Sequence, residues 1–195
     1  MFVMGIDPGL SRCGYGAVRQ DGGAEPVALA AGVLTTAPGL PLPERLASLF
    51  VQLRELLDEW RPEAMAVERV LFQVNARTAM SVGQASGLAL VAAAEVGVPV
   101  AQYSPNEVKQ AVTGWGGAGK EQVQRMVQAL LHLPEKPSPA DQADALALAL
   151  CHLANAPLAA AVAAATGGRG ALAAATGGRG AVLARRAGSG ARRVR

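Results

Sequence analysis

The sequence predicts an α/β fold, a mixed five-stranded sheet with helices on both faces. Three observations predict it. Three apolar runs near the start, Phe2–Asp7, Gly14–Gln20 and Pro26–Thr35, are joined by glycine-rich turns, as in an antiparallel meander. From residue 43 the apolar period changes from two to that of a helix, and helix and strand then alternate. The apolar fraction is 51%, enough for a sizeable core, while aromatics at 4% leave aliphatic side chains and alanine to fill it.

Each element has its own signal. Leu46, Leu49, Phe50, Leu53, Leu56, Leu57 and Trp60 recur at helical spacing between Pro43 and Pro62. The run Ala64–Val70 reads as a strand carrying Glu68 near its end. Residues 75–97 read as a long helix rich in small residues, including Ser81, Gly83, Ala85, Ser86, Gly87 and Ala89. A glycine inside a helix costs about 1 kcal/mol relative to alanine, so these positions need a compensating reason such as close approach of another backbone. "VPVAQY" gives a fifth strand, and "SPNEVKQAV" opens a helix with Ser104 as N-cap and Pro105 in the first turn. The glycine loop "TGWGGAGK" leads to a helix beginning at Lys120, and "SPADQADALALALCHLA" is the last clear helix.

Beyond Pro157 the chain repeats "AAATGGRGA" and has too little large apolar surface to fold alone. The expected division is one folded domain at 1–157 and a low-complexity, flexible Ala/Gly/Arg tail at 158–195. Charge divides the same way. Residues 1–144 hold 11 basic and 15 acidic residues, a net of −4, and residues 145–195 hold seven arginines and no acid. Such a tail attracts polyanions without sequence preference, or serves only solubility. The uncharged run at 145–168 is nearly half alanine and contains His152, Asn155 and Pro157, which favours a core helix over a membrane span. Two cysteines without a C-x-x-C pair, and a start lacking a leader's basic and apolar regions, fit a reducing, cytoplasmic setting.

The acids form the most informative set. Asp7 ends the first strand, Glu68 ends the fourth, and Asp141 and Asp144 share one face of the last helix. Each adjoins an apolar flank, where an uncompensated carboxylate is costly. Basic neighbours do not evidently supply the compensation, and divalent metal would. Each acid also has an ordinary explanation: a turn residue for Asp7, a helix cap for Asp141, a solvated acid for Asp144. As a group on strand and helix ends, they suit hard ions such as Mg2+ or Mn2+. Two such ions suit in-line attack on a phosphodiester. With His132 and His152 as the only histidines, Ser/His/Asp hydrolysis is poorly supported, and a P-loop is absent.

The blocks "GIDPGLSRCGYG", "VERVLFQVNARTAMSVGQASG", "EVKQAVTGWGGAGKEQVQRMV" and "PADQADALALALCH" resemble the RuvC family of Holliday-junction resolvases, in order from about residue 2 to 153. The resemblance implies a ribonuclease H-like fold and a homodimer. It also implies metal-dependent paired nicks in four-way DNA junctions, in recombination and repair. By position it places the catalytic and metal-binding acids at Asp7, Glu68, Asp141 and Asp144, holding two Mg2+ ions that Mn2+ can replace. It makes Lys109 and Lys120 DNA contacts, and the small-residue helix a dimer helix. The family's aromatic three residues after the glutamate falls on Leu71, with Phe72 beside it; Asn75 and Arg77 follow in the loop expected to face DNA. A branch-migration complex of RuvA and RuvB is the partner it implies, with no membrane. The glycines around Asp7 are expected to let DNA backbone approach. Trp115 either stacks on a base or pins its loop to the core. Competing readings are a non-catalytic junction-binding module, an actin-like nucleotide-binding protein, for which 195 residues leave no second domain, and a smaller resolvase-like relative acting on RNA.

Overall fold

The computed structural model describes residues 1–70 and 76–165, by backbone alone at 76–78 and 157–165. The order is β1 (Phe2–Asp7), β2 (Arg12–Arg19), β3 (Val27–Thr35), α1 (Leu42–Trp60), β4 (Ala64–Glu68), α2 (Ala76–Val96), β5 (Val100–Tyr103), α3 (Pro105–Thr113), α4 (Lys120–Leu130) and α5 (Ala140–Ala165). The sheet order is β3-β2-β1-β4-β5, with β1 central. β1, β2 and β3 pair antiparallel, as the glycine turns between them predict. β4 runs parallel to β1 and to β5. The parallel strands therefore end on one side of the sheet, where α/β folds place their sites.

Alternation along the strands sorts the two faces. Phe2, Met4 and Ile6 of β1 pack with Met65 and Val67 of β4 beneath α1 and α2. The leucines Leu49, Leu53, Leu56 and Leu57 give α1 its buried face. Val3, Val18 and Ala66 point the other way, into a layer completed by Val108 and Val112 of α3, Val123 and Val127 of α4, and Leu146–Leu150 of α5. By the same parity Asp7 follows Val3 and Gly5, and Glu68 follows Ala66, so both acids face α5.

The glycines on that face answer to α5. A Cβ at Gly5 would overlap the Ala145 carbonyl, and one at Gly14 would overlap the Asp141 carbonyl. The expectation that these glycines make room for DNA is corrected: the space belongs to the helix. Bare backbone on β1 and β2 lets α5 lie against the sheet, which brings its first turn to the ends of the strands.

The compact unit of the main chain is Met1–Leu158. α5 continues through Pro157 to Ala165, farther than the sequence suggested. Proline removes one backbone donor there, and the alanines that follow have the highest helix propensity. Among the described residues one helix, α2 at Ala79–Val96, is long and apolar enough to cross a membrane, yet its Ala85, Ala89, Ala92 and Ala93 are fully buried in the core under the sheet. The alanine-rich start of α5, Ala145 to Leu150, is likewise core.

Candidate active site

Asp7, Glu68 and Asp144 line one cavity of about 450 Å3, together with Pro105, Lys109 and Lys120. Five elements build it: the ends of β1 and β4, the N-terminal part of α5, and the α3–α4 pair. The α3 N-terminus is fixed by a capping box, in which the Ser104 hydroxyl accepts from the Glu107 amide at 3.3 Å and the Glu107 carboxylate accepts from the Ser104 amide at 2.7 Å. Lys109 thus projects from an anchored helix. Lys120 is the first residue of α4.

Burial dominates the acid pair. Asp7 is pushed up from 3.8 to about 8, first by burial, then by the charges of Glu68 and Asp144. Glu68 is also raised, by burial foremost, although its hydrogen bond with Asp7 and the charges of Lys120 and Lys109 pull it back. Two carboxyl groups this close share a proton near neutrality unless a cation replaces it.

The other two acids have found cations. The Arg12 guanidinium donates to Asp141 Oδ2 through Nη2 at 2.8 Å and Nε at 3.2 Å. Lys120 Nζ lies 2.8 Å from Asp144 Oδ2. The hydrogen bond from Arg12 holds Asp141 below the usual carboxylate range, and the bond to Asp144 holds Lys120 above its ordinary value. This corrects the expectation that basic partners are lacking. Local sequence does not reveal them because the pairs join residues remote along the chain: Arg12 and Asp141 are 129 positions apart. Strand parity is the available signal, since Arg12 shares its face with Gly14 and Gly16.

The structure therefore brings Asp7, Glu68 and Asp144 to one cavity and holds Asp141 beside it on Arg12. Among the described residues no three acids converge closely enough to share one ion. The donor chemistry still fits a hard divalent cation: four carboxylates, two of them in contact and forced toward the protonated state. Arg69, next to Glu68 in sequence, turns away to donate to the Gln102 carbonyl at 2.9 Å. Leu71, Phe72 and Asn75 lie outside the described residues, as does the side chain of Arg77. Trp115 is 61% exposed and belongs to neither core cluster. Its loop is tied instead by Gln110, which accepts from the Gly116 amide and donates to the Gly114 carbonyl, and by Thr113. It does not pin the loop to the core.

A family model described as crossover junction endodeoxyribonuclease RuvC matches residues 3–152. The crossover junction endodeoxyribonuclease RuvC of Moorella thermoacetica is 53% identical over 157 residues, covering 80% of this chain and 93% of that protein. Its counterpart in Chloroflexus aggregans is 48% identical, covering 80% and 95%. The solved structure of T. thermophilus RuvC in complex with Holliday junction substrate is 44% identical with a TM-score of 0.77, covering 82% of this chain and 96% of that one. The yeast mitochondrial Holliday junction resolvase Ydc2, 14% identical with a TM-score of 0.57, shares the fold. With β1 central, the antiparallel β2 and β3 ladder on one side and the parallel β4 and β5 on the other, the ribonuclease H-like fold is present, and the chain belongs to the RuvC family of crossover junction endodeoxyribonucleases.

Proposed function

We propose that this chain is a structure-selective endonuclease that resolves four-way DNA junctions by metal-dependent phosphodiester hydrolysis, in recombination and DNA repair. The observation that carries the reading is the buried Asp7–Glu68 pair, opening into a cavity that also presents Asp144, Lys109 and Lys120. Asp7, Glu68, Asp144 and, on release from Arg12, Asp141 would hold Mg2+ or Mn2+, two ions per site. Bound there, the ions supply an activated water and charge stabilisation at the leaving oxygen. Asp7 must first lose the proton that burial favours. Lys109 and Lys120 contact the phosphates flanking the cut. Leu71, Phe72, Asn75 and Arg77 take DNA-contact roles by family position, with Leu71 or Phe72 at the junction centre.

The protein acts as a homodimer through α2. Met80 and Val91 of that helix are 67% and 50% exposed. Gly83 and Gly87 lie between them at helical spacing, and a Cβ at either meets nothing within 4 Å in this chain. Packing on the chain's own sheet does not explain those glycines, whereas a partner helix does. A two-fold dimer sets two sites against a two-fold junction and so yields paired, symmetric nicks. The functional unit is residues 1–157, with 158–195 as a flexible basic tail. Loading by a branch-migration complex of RuvA and RuvB rests on the family resemblance. A cytoplasmic location suits a DNA-acting chain whose Cys13 and Cys151 are free and buried.

The test is an end-labelled immobile four-way junction, incubated with the protein in Mg2+, in Mn2+ and in EDTA, with the nicks mapped on a denaturing gel. Symmetric cuts in opposing strands that require metal are expected. Cleavage in EDTA, or binding without nicks in either metal, sinks the reading.

A further inference from the structure

We propose that Arg12 couples divalent-cation binding to DNA binding: its guanidinium neutralises Asp141 in the metal-free site and is handed to a DNA phosphate when a cation takes that carboxylate. The inference rests on the junction-resolving reading and adds a residue to which that reading gives no role.

Three observations support it. Arg12 spends two donors, Nε and Nη2, on a single oxygen of Asp141, which leaves the other oxygen and the remaining donors uncommitted in this pair. The pair is accessible, with side chains 49% and 26% exposed, so it is screened and weak. A divalent ion gathering several carboxylates outcompetes such a pair. And Asp141 is missing from the residues that line the cavity of Asp7, Glu68 and Asp144. Completing the acid set means turning Asp141 away from Arg12.

The freed guanidinium then has a place to go. Arg12 opens β2, directly after the turn that follows Asp7, and its partner Asp141 lies one helical turn before the Asp144 that lines the cavity. Next to it the Ser11 hydroxyl accepts from Arg45 Nη2 at 2.7 Å, which sets a second guanidinium beside the same turn. An arginine fork released beside a DNA backbone meets phosphate oxygens in the geometry it favours. Because binding free energies are reciprocal, a cation that frees Arg12 tightens DNA binding, and DNA that captures Arg12 tightens cation binding by the same factor.

The experiment measures junction affinity by fluorescence anisotropy across a salt series, in Ca2+ and in EDTA. The proteins are the full-length chain, Arg12→Ala and Arg12→Lys, with junction integrity checked on a denaturing gel. For the unaltered chain, Ca2+ should tighten binding about tenfold. For Arg12→Ala, affinity in EDTA should be little changed, the gain from Ca2+ should shrink to about twofold, and the log–log salt slope in Ca2+ alone should flatten by about 0.9, the value for one phosphate no longer neutralised. Arg12→Lys should keep most of the slope. Thermal melts confirm that both variants fold. An equal slope change in both conditions would make Arg12 a plain phosphate ligand, and no change in either would make it a structural clip; both overturn the coupling, as does an unaltered chain indifferent to Ca2+. Failure of the unaltered chain to prefer a junction over linear duplex would instead strike the functional reading itself.

Discussion

Asp7 and Glu68 hydrogen-bond to one another from the ends of adjacent parallel strands. The folded chain holds the Asp7 proton up to about pH 8, whereas an unfolded aspartate releases it near 3.8. Between those values the folded state binds more protons, so this group makes stability fall as pH rises. In EDTA, the melting temperature of the unaltered chain should therefore drop relative to Asp7→Asn between about pH 4 and 8. Near pH 8 the variant should be the more stable, by on the order of a few kcal/mol. Adding Mn2+ at pH 8 should raise the melting temperature of the unaltered chain and leave Asp7→Asn largely unmoved. Asp7→Asn should also lose nicking by on the order of 10³-fold while still binding junctions. Parallel melting curves across pH would show that burial does not hold the proton as described.

Gly5→Ala should be far costlier than an alanine substitution usually is. The added methyl would overlap the Ala145 carbonyl and push α5 off the sheet. Overpacking of this kind costs roughly 3 kcal/mol at the upper end, a melting temperature lower by about 6–12 °C for a chain of this size. Nicking should fall further than stability alone explains, because α5 carries Asp141 and Asp144. Gly39→Ala, where a Cβ meets nothing within 4 Å, is the control and should be near neutral. Comparable melts for the two variants would refute the seating role of Gly5.

Gly87→Leu tests the dimer without testing the fold. A Cβ there meets open space in the single chain, and leucine favours a helix by several tenths of a kcal/mol over glycine. Sedimentation should show dissociation at concentrations where the unaltered chain is dimeric, with helix content retained. A variant that stays dimeric and makes paired nicks would move the interface elsewhere.

Much of this is legible in the sequence, and the limits have physical causes. The strand end at Asp7 can be read because an apolar run stops there and a Pro-Gly turn begins; at Glu68 the apolar Val70 beyond it extends the expected strand, which stops two residues sooner. Lys120 at a helix start and Ser104 as a cap can be read because capping is local. The Arg12–Asp141 pair cannot, since it exists only once α5 lies on β2. The glycines mislead for a related reason: a missing side chain announces close approach without naming what approaches. The helix past Pro157 escapes notice because one proline outweighs neighbours in a local rule, while the alanine run favours continuation.

Deleting residues 166–195 tests the tail beyond α5. It removes all seven tail arginines and changes the formal charge from +3 to −4. Fold and nicking should survive, because Asp7, Glu68, Asp141 and Asp144 all precede the cut. Junction affinity should weaken and its salt slope flatten by about 0.9 for each phosphate that a tail arginine neutralises in the full chain, with preference for junction over linear duplex retained. Unchanged slopes would make the tail a bystander. A changed preference would put shape recognition in the tail.

The seat of α5 on Gly5 and Gly14 also sets when this chain becomes an enzyme. During synthesis β1 and β4 emerge first, carrying Asp7 and Glu68. Nothing yet covers the bare backbone at Gly5 and Gly14, and Asp141 and Asp144 have still to be translated. A nascent or prematurely terminated product that stops before α5 thus owns half of an acid set and no floor beneath it. Because the proposed acid set draws on both ends of the folded unit, an incomplete translation product would leave the chromosome of the cell that makes it uncut.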